Sequence, residues 1–265
     1  MTKLSITQAW NESAEYIGRH FGALFTVALA LLVLPDLVPQ LLALGEDQAP
    51  QPGLWFLFLP VVAVLGVAGN LALSSLALGR EVMAGRAIAH GFRRTLPMLG
   101  ASLLIGLAAL ILLIVLAIAS GVDLRNADSE VLAASGRFRT LMLVFFLVAA
   151  FFVVRLAMVT PAAAAEPLGP IGILKRSWTL TGQAFWKLLA LFVLLLILGF
   201  VIALVLVAIF AMVLLALGEP QSDNVAILAI LLLTGIFKAA LAVCFVTLLS
   251  RIYVQLAGDV SIKGT

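Results

Sequence analysis

Apolar residues in this chain neither keep to one helical face nor alternate as along a strand. They run on, interrupted by short polar stretches. Six runs, at residues 21–44, 54–79, 96–120, 139–165, 185–218 and 224–249, carry few charges. A hydrocarbon core of about 30 Å needs about 20 helical residues, and each run supplies them. Lipid tolerates only segments whose backbone N–H and C=O groups bond internally, and the runs lack the period-two pattern of a barrel strand. The pattern predicts an all-α polytopic membrane protein with six transmembrane helices, one integral membrane domain over residues 1–265.

Before each odd-numbered span lies a stretch too polar to cross the membrane yet rich in aromatic and basic residues: 6–20, 85–95 and 169–183. In the first, Leu4, Ala9, Trp10, Ala14, Ile17 and Phe21 make an apolar stripe beside Asn11, Glu12, Glu15 and Arg19. Such a helix lies along the inner leaflet. Trp10, Phe92 and Trp178 are 82 and 86 residues apart, and Gly85, Gly169 and Gly258 are 84 and 89 apart. Two sets of anchors with nearly one period predict three copies of a unit, at 1–84, 85–168 and 169–265. Each copy is an interfacial helix, a span out, a loop and a span back.

Composition excludes a soluble domain. Hydrophobic residues are 64% and charged residues 11%, where soluble domains hold about half and about a quarter. One set of connections carries Lys3, Arg19, Arg80, Arg86, Arg93, Arg94, Lys175, Arg176, Lys187, Arg251 and Lys263; the other carries Arg125, Arg137 and Arg139. This asymmetry predicts that both termini lie in the cytoplasm. The opposite connections hold Glu46, Asp47, Asp123, Asp128, Glu130, Glu219 and Asp223. Residues 1–20 lack the basic stub, short apolar core and small-residue cleavage site of a signal peptide, so the first run is expected to stay as a span. The sole cysteine, Cys244, lies in the sixth run and is expected to be a small buried apolar residue.

A net charge of +3 concentrated on the cytoplasmic side implies anionic phospholipid as a partner. Nucleic acid is not implied, because Arg93-Arg94 and Lys175-Arg176 are isolated pairs without an aromatic platform. Inside the spans, Lys238 stands about 13 residues from Arg251, or roughly 20 Å of helix. An ammonium there costs about 2.5 to 3.5 kcal/mol and requires a partner or a wet cavity. Asp36 lies at similar depth in the first span, so the two are expected to pair, either as a registry lock between first and last helices or as a proton or ion relay. Pro35 and Pro39 remove bonds to the carbonyls at 31 and 35, which predicts that the outer half of the first helix is kinked or ends early.

Arg155 has three readings: snorkelling to the inner headgroups, a salt bridge to Glu166 or another acid, or a phosphate pocket for anionic lipid shared with Lys175 and Arg176. Glu166 could cap the following interfacial helix or hold Arg176. In the second span Gly66, Gly69, Ala72 and Ser75 place a small residue at every third position, a face for close packing.

Arg155-Leu156, Pro161, Glu166, Gly169, Arg176-Ser177-Trp178, Thr181-Gly182 and Phe185-Trp186 follow one another within a short stretch, and the sixth span closes on Arg251-Ile252-Tyr253 and Gly258. This resembles the membrane domain found in some glycerophosphoryl diester phosphodiesterases and in many standalone bacterial inner-membrane proteins. The resemblance implies structural roles for Pro161, Glu166, Gly169, Ser177, Trp178, Gly182 and Trp186. Phosphodiesterase chemistry in that family belongs to a separate soluble barrel that uses His, Glu and Asp with a metal. These 265 residues leave no room for one, and His20 and His90 stand neither in a His-Arg pair nor beside clustered acids. The expectation is a non-catalytic inner-membrane protein without cofactor or metal, a lipid-interacting scaffold or envelope-associated module. The alternative is a transporter or channel for a small or lipid substrate that uses Lys238 and Asp36.

Overall fold

The computed structural model describes residues 4–43, 58–81, 83–121, 135–217 and 224–258. Lys3, Arg125 and Lys263, the acids Glu46, Asp47, Asp123, Asp128, Glu130, Glu219 and Asp223, and the tips of the outer connections lie outside the described residues. The regular elements are all helical: α1 (Ile6–Ala28), a π-helical turn (Leu29–Val33), α2 (Leu34–Ala43), α3 (Phe58–Ala77), α4 (Ala84–Ser120), α5 (Gly136–Arg155), α6 (Val159–Ala165), α7 (Pro170–Gly182), α8 (Phe185–Leu217) and α9 (Asn224–Ala257). Six helical stretches are long and apolar enough to span a membrane, one for each expected span.

The expected interfacial stretches join their spans in different ways. The first runs into its span as one helix, broken only by non-helical angles at His20. Ser5 caps its start by accepting a hydrogen bond from the Gln8 N–H. The second is the beginning of α4, which continues through Pro97 to a left-handed Gly121. Only the third is a separate helix, α7, opened by Pro170 after Gly169.

At the prolines of the first span the helix is continuous to Ala43 and carries one irregular turn. The helix neither ends nor breaks at Pro35 but widens just before it, where the Leu34 N–H reaches back five residues to the Leu29 carbonyl. Proline has no N–H and its ring crowds the carbonyl four residues back, so one wide turn accommodates it without loss of the helix. The extra residue also resets the buried face. Leu24, Ala28, Val33 and Leu37 are all buried, and the step from 28 to 33 is one residue longer than the regular stride.

Two apolar clusters hold the bundle. Leu24, Val27, Ala28, Leu31, Val33 and Leu37 of the first span pack with Ala72, Leu73 and Leu76 of α3 and Ala239, Val243 and Val246 of α9. The other cluster joins Met158, Val159, Ala162, Ala163, Ala164 and Ala165 to Ile173, Leu188, Leu249, Ile252 and Tyr253. The approach of helices depends on glycine at few positions. A Cβ on Gly91 would lie 2.4 Å from the Ala68 carbonyl oxygen, and one on Gly69 would lie 2.8 Å from Leu31 Cβ. Gly69, Ala72 and Ser75 are buried as the small-residue face requires, whereas a Cβ on Gly66 would find open space. Cys244 is exposed on α9, contrary to the expected burial, because the helix turns that position away from the α1 and α3 seam.

Candidate functional site

Arg155 ends α5, and the chain turns through Leu156, Ala157 and Met158 before α6. Such a break strands backbone polar groups that lipid cannot solvate. α7 supplies the partners. Ser177 Oγ donates to the Arg155 carbonyl at 2.9 Å and accepts from the Met158 N–H at 3.2 Å, and Thr181 Oγ1 donates to the same carbonyl at 3.0 Å. Ser177 and Thr181 are fully buried.

The Arg155 side chain enters an aromatic box. Its guanidinium carbon lies 4.9 Å from the Trp178 ring centroid and 5.5 Å from those of Phe151 and Phe185. Trp178 also packs on Phe152. Nη1 donates to the Trp178 carbonyl across a long 3.4 Å, while Nε is buried without a partner. A Cβ on Gly182 would come within 3.0 Å of Nη1, so the glycine leaves space for the guanidinium. Arg155 forms no salt bridge among the described residues.

The acid considered for it is engaged elsewhere. Arg176 Nε donates to Glu166 Oε1 at 2.8 Å, and the Tyr253 hydroxyl donates to that same oxygen. This ties α7 and the end of α6 to α9. Burial pulls the Arg176 guanidinium down, but its bond and charge pairing with Glu166, with help from Tyr253, outweigh that and hold it above its ordinary value. Glu166 therefore holds Arg176 and makes no cap; Gly169 begins α7 without a side-chain bond.

Of the three cations proposed for one phosphate pocket, Arg155 and Arg176 are separated by α7. Arg155 engages the helix at Trp178, Thr181 and Gly182, whereas Arg176 leaves it at about 160° from Trp178, given about 100° per residue. Lys175 is exposed and lies about 60° from Trp178 by the same count, on the side of the helix that carries Gly182. Of the other motif residues, Pro161 is buried in α6, and Trp178 and Trp186 are exposed, the latter at 77%. Tyr253 and Phe151 are the members that sequence reasoning did not place. Phe151 precedes Arg155 by one turn and was available as an i, i+4 signal; nothing local pointed Tyr253 at Glu166.

The intramembrane pair forms as expected. Lys238 Nζ donates to Asp36 Oδ2 at 2.8 Å. Beneath it, Gly235 lets α9 close on the π turn, since a Cβ there would lie 2.6 Å from Val33 Cγ1. The two charged side chains remain 56% and 44% exposed, on the flank of the bundle. Among the described residues, no group of three or more His, Cys, Asp or Glu could hold a metal ion.

No curated protein and no solved structure matches the chain. A family model described as Domain of unknown function (DUF7847) matches residues 4–256, nearly the full length, and the chain belongs to that family.

Proposed function

We propose that the protein is a non-catalytic module of the bacterial cytoplasmic membrane, with both termini in the cytoplasm, that holds anionic phospholipid at its cytoplasmic collar and serves as a scaffold or envelope-associated component. The observation that carries this reading is Arg155, a cation with three rings around it and no carboxylate beside it among the described residues. Cation–π contacts use the faces of the guanidinium, whereas its N–H bonds lie in the plane, where a phosphate accepts them in pairs. Here one in-plane bond is long and Nε has none. The resemblance to the phosphodiesterase membrane domain supports the lipid setting. Arg176, held by Glu166, is assigned to structure. Lys175 adds long-range attraction.

The test is native mass spectrometry of gently extracted protein with lipid identification, for wild type and Arg155→Ala. Retained phosphatidylglycerol or cardiolipin that drops in the variant is the expected result. Equal lipid in both proteins would overturn the reading.

A second reading, transport or conduction of a small or lipid substrate, is favoured by the exposure of the Asp36 and Lys238 pair at membrane depth. A charge pair facing hydrocarbon is costly, and a wet path beside it removes that cost. Transport activity in vesicles that is lost with Lys238→Met and kept with Arg155→Ala would favour it over the scaffold.

A further inference from the structure

Three buried side-chain atoms without a hydrogen-bond partner fall on one stripe of α9: Thr247 Oγ1, Arg251 Nε and Gln255 Nε2. Steps of four residues place them on one face. Buried polar atoms are bonded in the great majority of cases, so three in a row require an explanation.

Each keeps an unused donor. Thr95, Thr140 and Thr179 each donate to the carbonyl four residues back. Thr247 is 1% exposed and makes no such bond. Gln255 uses its Oε1 to accept the Ser5 N–H at 3.2 Å, which fixes the amide and turns Nε2 away. Arg251 stacks its guanidinium on Tyr16, 4.3 Å from the centroid, and forms no salt bridge among the described residues. The Tyr16 hydroxyl is itself used on the Leu76 carbonyl, and Ser74 and Ser250 bond each other at 3.0 Å. The stripe is thus rich in donors, carries a full positive charge and is short of acceptors.

We propose that this stripe, at the seam where the first and last helices meet, is a binding site for a phosphate-type oxyanion. Arg251 contacts the phosphate in its guanidinium plane, and Thr247 and Gln255 complete the site directly or through ordered water. The three positions spread over about 12 Å of helix at 1.5 Å per residue. That is longer than a phosphate and comparable to the reach from a phospholipid headgroup to its ester carbonyls. A free phosphate would satisfy the same chemistry at Arg251 with water at either end. The site shares a ligand class with Arg155 but no residue with it, and it stands if that reading fails.

The test uses the full-length purified protein, delipidated and titrated separately with phosphatidylglycerol, phosphatidylcholine and inorganic phosphate. Lipid adducts are counted by native mass spectrometry and phosphate binding by thermal shift. Arg251→Gln should abolish one anion site, and Thr247→Val should weaken it about tenfold, the loss of roughly one well-placed hydrogen bond. Arg155→Ala should leave this site intact. A phosphatidylglycerol adduct lost in both stripe variants supports the site with lipid as the source; a phosphate-induced shift lost in both, without a lipid adduct, supports it with a soluble phosphate. Unchanged binding of lipid and phosphate in Thr247→Val, with a raised Tm from removal of an unsatisfied hydroxyl, would overturn it. Valine preserves the shape of threonine, so this variant decides the matter if Arg251→Gln does not fold.

Discussion

A hydroxyl buried in a membrane bundle is costly unless its hydrogen-bonding capacity is used, and Ser177 both donates and accepts across the break between α5 and α6. Ser177→Ala would leave the Met158 N–H without a partner, while Thr181 still serves the Arg155 carbonyl. The expected cost is about 1 to 3 kcal/mol, read as a lowered Tm in detergent. Thr181→Val should cost less, because Ser177 still donates to that carbonyl. Equal losses, or none, would remove Ser177 from this role. Tyr253 offers a sharper test. It is 1% exposed and donates to the carboxylate that Arg176 already engages, so Tyr253→Phe keeps the packing and removes one charge-assisted bond. About 1.5 to 3 kcal/mol should be lost. In an Arg176→Met background the increment should change, since the two donors share one oxygen; strict additivity would show that they do not act together.

Helices were legible in this sequence where one physical requirement dominated. Length and apolarity alone located the six spans, because lipid enforces both. What pattern could not give is how a helix turns about its own axis. Pro35 and Pro39 pointed to a kink or an early end in the outer half of the first helix, but not to the one wide turn that the chain inserts before continuing to Ala43, which brings Val33 and Leu37 onto the face begun by Leu24 and Ala28. The pairing of Asp36 with Lys238 was nonetheless foreseen, since depth along two helices is countable. The Arg155 box was legible in part: Trp178, Gly182 and Phe185 belong to the recognisable motif, but their convergence on a guanidinium depends on the angle between α5 and α7. The π turn is open to a direct test. A Cβ at position 235 would lie 4.0 Å from Val33 Cβ, within the range of disulfide geometry. Val33→Cys with Gly235→Cys, in a Cys244→Ser background, should cross-link on oxidation. Adding Pro35→Ala restores the N–H and lets the turn relax to α-helix, which rotates following residues by about 100°. Cross-linking should then fall and Tm decrease; an unchanged yield would mean that Pro35 does not set the turn.

At the scale of the molecule, packing is uneven. Spans from Ile6–Val38, Phe58–Ala77 and Leu231–Ala257 bury a third or more of their most apolar stretches, whereas the most apolar stretch of Phe185–Ile209 buries none and burial among the described residues of that helix is confined to its start, at Leu188 and Leu191. A helix apolar on every side suits direct contact with acyl chains, because in lipid its exposure carries no hydrophobic penalty. The polar ties gather instead toward one end: Glu166 with Arg176 and Tyr253, Lys187 with the Leu4 carbonyl, Ser5 with Gln255, Tyr16 with the Leu76 carbonyl. These residues adjoin the basic connections, and in the orientation proposed above both oxyanion sites would lie in the leaflet where anionic headgroups and positive protein charge meet. That arrangement makes orientation the decisive property of the whole molecule, and it has a simple test. In the Cys244→Ser background, Arg80→Cys should react with a membrane-impermeant thiol reagent only after the cells are opened, and Ser135→Cys should react in intact spheroplasts. Arg80 follows the left-handed Gly79 that ends the second span, and Ser135 caps α5 from outside the helix, so neither substitution disturbs a packed face. If Arg80→Cys labels from outside, the collar faces away from the cytoplasm, and the leaflet argument for both anion sites fails with it.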